Sequence, residues 1–421
     1  MILLEWDEVA ALELGQLVGS GEITGVVADS RAAGPGDLFV ALNAGVRYVD
    51  EARERGAATL VPDDQEAALA ALASLVRSKS TASVVAVVGS AGKTTTKDIL
   101  AALCAPHVPT IWAEKSLNNE IGLPLTVCRL EPETEVLVTE MGMRGLGQVA
   151  ALCEIARPTI VVVPHVGPEH LELLGTVGRV AEANAEAITA LPAGGVAVVP
   201  AAGPLDPYLT RKDITVRRFN ADEIDRDDGV TRFTVDGNVV ELELPFTQRH
   251  LAVNTLAALH AYDALGLPLA RAADGVADIA LSPWRGEEMP LPGGGFVVND
   301  AYNANPDSMR AALEHLAERA GDRRKVAILG EMAELGESAA GYHREIGVLA
   351  AALGVAVIGV GEVSNAYEPI AWAADAAGAV DEARSVVRPG DAVLVKASRA
   401  VGLEGIADEI TNFARAWSLS S

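Results

Sequence analysis

The sequence is short of several things, and each shortage removes a class of function. Its three cysteines, Cys104, Cys128 and Cys153, sit in apolar contexts without the spacing of a metal site. Buried thiols in a reducing cytoplasm are the expectation. No apolar run is long enough to span a bilayer. The opening MILLEWDEVAALELGQLVG carries acidic residues where a signal peptide would carry basic ones, and its apolar stretch is broken, so a soluble cytoplasmic protein is expected. Basic residues are also scarce: 33 Lys and Arg against 58 Asp and Glu leave a formal charge of −25. That argues against a nucleic-acid partner, which needs a basic face. It leaves room for an anionic small molecule held by a few placed cations. No fixed-period repeat or long low-complexity tract is present.

What is there is a chain of 421 residues, half of them hydrophobic, in which short apolar runs alternate with amphipathic stretches. The length exceeds one typical core, and the alternation points to α/β domains. Residues 1–80 form one block, ending in the polar, small-residue segment LVRSKSTAS. Residues 81–290 follow a strand–helix–strand pattern. EVLVTEMG and PTIVVVPHVG are continuous apolar runs, as parallel strands buried on both faces require. VGRVAEANAEAITAL and HLAVNTLAALHAYDALG have helical periodicity. TRFTVDGNVVELEL departs from the pattern: Asp236-Gly237 between alternating segments predicts an antiparallel hairpin. The Pro- and Gly-rich LSPWRGEEMPLPGGG marks a second boundary. Residues 291–421 then form another α/β unit, with strands expected at Phe296–Val298, Lys325–Leu329, Val355–Val360 and Ala392–Lys396.

The chemistry concentrates in SVVAVVGSAGKTTTKDIL. A buried strand runs into the turn Gly89-Ser90-Ala91-Gly92, and a helix opens on Lys93, Thr94 and Thr95. Backbone N–H groups of such a turn converge on one point, and the helix dipole adds to their attraction for phosphate. Lys93 would reach the β- and γ-phosphates, and the Thr94 hydroxyl would ligate Mg²⁺. The usual glycine five positions before Gly92 is missing; Val87 stands there. Glu140 ends a buried strand, where a carboxylate faces the crevice beyond the strand's carboxyl end. His165 and His170 follow another such strand, and two strand ends delivering Glu140 and His170 toward one switch point make a Mg²⁺ site the expectation more than either residue alone does. An imidazole is an unusual ligand for so hard a cation.

At these residues the chain resembles the Mur ligases of peptidoglycan synthesis, over nearly its whole length. It is most similar to the type that adds D-alanyl-D-alanine to UDP-N-acetylmuramoyl-tripeptide. DSRAAGPGDLFVAL, GSAGKTTTKD, SLNNEIGLPLT, EMGMRGLGQV, HVGPEHLELLGT, HLAVNTLAAL, SPWRGEE, NDAYNANPDSM, ILGEMAELGE, HREIG and VLVKASRAVGLE stand in the family's order. The family does without the upstream glycine. NDAYNANPDSM and LGEMAELGE favour this type over diaminopimelate-adding relatives, whose Asp-Asn-Pro-Arg motif is absent. Folylpolyglutamate synthases lack the N-terminal block.

The resemblance implies three domains: a small N-terminal α/β domain for the uridine nucleotide, a central P-loop ATPase-like domain with a mostly parallel sheet, and a C-terminal Rossmann-like α/β domain. It implies a monomer using ATP and Mg²⁺. Lys93, Glu140 and His170 would be catalytic, with Thr94, Glu140 and His170 on metal. Gly89 to Thr95, Asn254, Arg285, Asn303 and Asn305 would hold ATP. Ser30, Arg31, Asn118 and Asn119 would lie near the uridine nucleotide, and Lys396, Ser398 and Arg399 near the amino substrate. Local readings stand beside these roles. NANPDS is also a good turn and helix start, with Asp307 or Ser308 near the cap. Tyr302 also fits a core, and Lys396, Ser398 and Arg399 also fit a solvated loop.

The implied reaction forms an amide through an acyl phosphate and needs no nucleophilic Ser or Cys. Four positions depart from the family pattern. Asn184 occupies the place of a lysine that is carbamylated to bridge a second metal, and an amide oxygen is a weaker ligand. Helical spacing puts Glu182 and Glu186 on other faces. NAGVRYVDEARERGA lacks an Asp-Gly-His segment, Arg249 replaces a glycine before His250, and Ala397 replaces the glycine of Lys-Gly-Ser-Arg. Two rivals follow: a relative with another amino donor or acceptor, and a nucleotide-binding paralogue without turnover.

Overall fold

The computed structural model describes residues 1–227 and 229–419. They form two compact units. The first joins Met1–Pro164, Glu182–Pro245 and Val253–Ala280; the second joins His165–Ala181, Phe246–Ala252 and the chain from Leu281 onward.

In the first unit, the N-terminal block folds into a four-stranded sheet in the order Gly15–Val18, Ala58–Pro62, Asp37–Val40, Gly25–Val27. The first pair is antiparallel and the others are parallel. The central sheet has six strands, in the order Thr215–Phe219, Val196–Pro200, Ile160–Val162, Ser83–Val87, Val136–Glu140, Thr110–Trp112. Every pairing is parallel. Val84 to Val87, Leu137, Val138 and Val161 to Val163 are fully buried, which is why these strands read as unbroken apolar runs rather than alternating ones. Each such Val adds about 1.5–3 kcal/mol of burial to the core. The expected hairpin pairs Val230–Val235 with Asn238–Leu242 around Asp236-Gly237, where both turn residues have positive φ; Ile224–Asp227 adds a third strand.

The second unit is built on a six-stranded sheet, ordered Glu287–Leu291, Gly295–Asn299, Ala392–Lys396, Lys325–Leu329, Val355–Val360, Ala371–Ala373. Only the first pair is antiparallel. The segment taken as a Pro- and Gly-rich boundary thus contains a strand, Glu287–Leu291. Pro290 has no N–H to give to a ladder, so it is tolerated because this strand is the edge. The expected helices form as Val177–Thr189 and Arg249–Ala264. No helix among the described residues is long and apolar enough to cross a membrane.

Candidate functional site

In the first unit, the strand Ser83–Val87 delivers the turn Gly89–Gly92, the candidate phosphate loop, and the helix Lys93–Cys104 leaves it. The turn closes on Gly92 at φ +81, a left-handed backbone that suits only glycine well. Space imposes the same choice: a Cβ there would lie 2.5 Å from Asn254 Oδ1. Asn254 is thereby placed against the loop. Lys93 Nζ donates to the Gly89 carbonyl within the loop. Thr94 is buried, its hydroxyl 3.5 Å from Ser116 Oγ.

Glu140 ends the neighbouring strand and is 1 % exposed. Its Oε1 accepts from Asn118 Nδ2 at 2.7 Å, and its Oε2 has no hydrogen-bond partner among the described residues. A buried oxygen left unmet costs about 1–3 kcal/mol, and more when charged. A carboxylate oxygen and a threonine hydroxyl are the donor types a hard cation takes, so the residues fit Mg²⁺. The described residues contain no cluster of three or more acidic, His or Cys side chains able to hold a metal by themselves. Mg²⁺ does not ask for one, since it keeps waters and substrate phosphates among its ligands.

Asn118 therefore has a task in the structure: it orients Glu140. Asn119 has another. Its Oδ1 accepts from the Gly122 and Ile121 amides at 2.9 and 3.3 Å, holding the start of the helix Gly122–Val127. Beneath this loop lies Lys97, fully buried one turn beyond Lys93. Its Nζ donates to the Ala113 and Lys115 carbonyls at 2.6 and 2.9 Å and pairs with Asp98 Oδ1 at 2.7 Å. Lys97 thus pins the segment that carries Ser116 and Asn118.

Asn184 is buried in its helix. Glu186 is committed elsewhere: its carboxylate accepts from the Gly147 and Ala150 amides at 2.6 and 3.0 Å, capping the helix Gln148–Ala156. In the N-terminal sheet's block, Ser30 is buried. The exposed Arg31 hydrogen-bonds Asp29, holding its carboxyl down at about 2.

The second unit carries the other candidates. His170 has φ +52 and sits at the start of the short helix Leu171–Leu174; its Nδ1 is hydrogen-bonded to the Glu334 carboxylate. His165 Nε2 lies 2.8 Å from Asp307 Oδ2. Asn305 is the N-cap of the helix Pro306–Ala320: its Oδ1 accepts from the Ser308 amide at 2.8 Å, and Pro306 takes the first helical position. Asp307 and Ser308 lie in the first turn beside this cap, as expected, and the Ser308 hydroxyl accepts the Asn305 amide at 3.0 Å. The Asn303 side chain is exposed.

Lys396 and Ser398 are not in a solvated loop. Lys396 ends a buried strand at 2 % exposure, and burial lowers its ammonium pKa against the pull of Asp300. Its Nζ is bound to the Asp300 carboxylate and, at 2.9 Å, to the Asn303 carbonyl. Ser398 Oγ accepts from the Ala333 amide at 2.9 Å and donates to the Ala304 carbonyl at 3.3 Å. Arg399 is exposed, as the loop reading expects. Tyr302 is the centre of a stack: Arg285 lies 4.0 Å from its ring centroid and Arg399 5.7 Å, and Arg399 also lies 4.6 Å from the Trp284 ring. Two guanidiniums are thus held by aromatic faces.

The family model for the Mur ligase middle domain matches residues 87–262, and that for the Mur ligase glutamate ligase domain matches residues 284–399. The UDP-N-acetylmuramoyl-tripeptide–D-alanyl-D-alanine ligase of Mycobacterium bovis is 35% identical, over 92% of each chain. The chain belongs to the Mur ligase family. A MurF structure from Acinetobacter baumannii aligns with TM-score 0.86 at 25% identity, covering 97% of this chain and 99% of that one. A MurF ligase of Thermotoga maritima, solved with ADP, aligns at 0.80 and 28% identity, covering 93% and 98%.

One departure from the Mur ligase pattern has a local compensation. The Ala397 methyl lies where a Cβ on residue 330 would be 2.7 Å away, and residue 330 is glycine. The segment lacking Asp-Gly-His forms a six-residue 3-10 helix, Asn43–Tyr48, leading into the helix Val49–Glu54. Sequence reasoning missed Lys97, Glu334 and the Tyr302 stack. The signal for Lys97 was its place four residues after Lys93, which puts both on one helical face.

Proposed function

We propose that this Mur ligase joins D-alanyl-D-alanine to UDP-N-acetylmuramoyl-tripeptide at the expense of ATP, in the cytoplasm and as a monomer. The observation that carries the chemistry is the buried Glu140 carboxylate, with one oxygen unmet among the described residues, at a strand end beside the turn Gly89–Gly92. The acceptor and donor are those named for relatives sharing about nine-tenths of their length with this chain. In this reading residues 1–80 serve the uridine nucleotide, 81–290 serve ATP, and 291–421 serve the amino substrate and complete the handling of ATP.

The turn Gly89–Gly92 and the opening of its helix bind the triphosphate through backbone N–H groups, and Lys93 leaves the Gly89 carbonyl for the phosphates. Thr94, Glu140 and His170 would hold Mg²⁺, which when bound neutralises phosphate charge. Asn118 keeps Glu140 in its rotamer. The tripeptide carboxylate oxygen attacks the γ-phosphorus and ADP departs, leaving an acyl phosphate. The free amine of D-alanyl-D-alanine then attacks the acyl carbon; phosphate leaves with one former carboxylate oxygen, and the nitrogen gives up a proton. The chain's contribution is positioning and charge neutralisation. Arg285, Asn303 and Asn305 serve the nucleotide; Arg399, held against aromatic faces, serves an anionic group on the amino-substrate side.

The test is ADP release with each substrate omitted in turn, together with the product's mass. Release that needs both substrates, and a product carrying the dipeptide, is expected. Release with other pairs but not this one would overturn the assignment. Asn184 favours a second reading, a nucleotide-binding paralogue without turnover. Turnover by the wild type, abolished in Lys93→Ala with uridine-nucleotide binding intact, would exclude it.

A further inference from the structure

His170 and Glu334 meet through side chain and backbone together. The Glu334 carboxylate is hydrogen-bonded to His170 Nδ1, and the Glu334 carbonyl accepts the Glu172 amide at 3.0 Å. Gly336 lies so close to this turn that a Cβ on it would be 3.0 Å from the Glu172 Cα. His170 at φ +52 and Glu334 at φ +61 both hold a left-handed backbone that residues with a Cβ avoid. Such strain persists only where surrounding contacts over-determine it, and it gathers at functional sites. The other ring nitrogen, Nε2, faces Glu169 Oε1 at 3.8 Å, and the imidazole is mostly enclosed.

A carboxylate on Nδ1 keeps the ring proton there and leaves the Nε2 lone pair for another partner. Histidines that ligate metals are oriented in this way by outer-shell carboxylates. We propose that Glu334 is a positioning residue: it holds His170 in the Nδ1–H tautomer, with Nε2 available to the divalent cation that accompanies ATP. The proposal rests on the reading of His170 as a cation ligand. His170 lies in the stretch matched to the middle domain and Glu334 in the stretch matched to the glutamate ligase domain. A residue from one matched region therefore sets the ring state of a ligand in the other, 164 positions away.

The test has two readouts on the full chain. In metal-free protein labelled with ¹⁵N-histidine at pH 8, the His170 signals are identified by their loss in His170→Gln. Wild type is expected to show a protonated Nδ1 and an unprotonated Nε2. Glu334→Ala is expected to show the tautomer mixture of an unconstrained ring. Glu334→Gln, whose side-chain carbonyl still accepts from Nδ1–H, is expected to keep the wild-type tautomer. Mn²⁺ affinity, read by electron paramagnetic resonance with a non-hydrolysable ATP analogue, is expected to fall about 10–100-fold in Glu334→Ala and much less in Glu334→Gln. A persistent Nδ1–H tautomer in Glu334→Ala overturns the proposal. So does a shifted tautomer with unchanged Mn²⁺ affinity. If His170→Gln itself binds Mn²⁺ as wild type does, the ligand reading fails and the proposal fails with it; that outcome is told apart because the tautomer result stands independently.

Discussion

Lys97→Met would keep the buried aliphatic stem and remove the ammonium. In the native protein Nζ has three oxygen partners, at 2.6, 2.7 and 2.9 Å, in a side chain with no exposure. The substitution takes the cation from Asp98 and leaves two carbonyls without their charged donor. Removing one partner of a buried ion pair costs about 3–5 kcal/mol, and a hydrogen bond to a charged group is worth about 1.5–3 kcal/mol. These are one desolvated cluster seen two ways, so about 3–5 kcal/mol is the expectation for the whole change. That is a large share of the roughly 5–15 kcal/mol that holds most domains folded. Urea unfolding followed by tryptophan fluorescence would read it, taking the earliest transition because a multi-domain chain need not unfold in one step. Lys97→Met/Asp98→Asn should recover part of the loss, since it removes the stranded charge. Because Lys97 pins the segment bearing Ser116 and Asn118, ATP-analogue binding in Lys97→Met should also need more Mg²⁺ at temperatures where the variant is folded. A loss under about 1 kcal/mol in Lys97→Met, or a double variant as unstable as the sum of the singles, would refute the reasoning.

Gly92→Ala places a methyl 2.5 Å from Asn254 Oδ1 on a backbone at φ +81, so nucleotide affinity measured by calorimetry should fall at least about tenfold while the chain still folds. Burial holds the His250 ring down at about 4, with Lys396 and His315 adding to it and Asp300 opposing, and burial also lowers His260 and His343. Below their ordinary 6.5 these rings take protons in the unfolded chain but not in the folded one. Stability is therefore full above about pH 6.5 and falls as the pH drops toward 4. The urea midpoint should be lower at pH 5 than at pH 7.5, and His260→Leu should shrink the difference; equal midpoints would contradict it. Asn184→Lys assayed with added bicarbonate should change the Mg²⁺ dependence of turnover. No change in rate or metal affinity would mean that position 184 holds no metal ligand in this chain.

Much of the fold was legible because the central and C-terminal strands are buried on both faces and so announce themselves as runs such as SVVAV and AVLVK. Glu287–Leu291 was not, since Glu and Pro at an edge mimic a linker. At the candidate site, the strand–turn–helix around Gly89–Gly92 and the place of Glu140 were legible because both follow from strand ends, which the local pattern marks. The asparagines were harder. Asn119 and Asn305 turn helices on, which nearby residues hint at, but nothing local says that Asn118 reaches Glu140. A lysine in KTTTKD reads as solvated until the neighbouring segment closes over it, and Lys396 misled in the same way. The His170–Glu334 pair depends on folding alone to bring its members together.

The most direct test of the acyl-phosphate route follows the oxygen. UDP-N-acetylmuramoyl-tripeptide labelled with ¹⁸O in its terminal carboxylate would be turned over with ATP and D-alanyl-D-alanine, and the released phosphate examined by mass spectrometry. One ¹⁸O per phosphate is predicted, since the carboxylate oxygen that attacks the γ-phosphorus departs with it. Unlabelled phosphate, formed at the same rate as the amide product, would contradict the account.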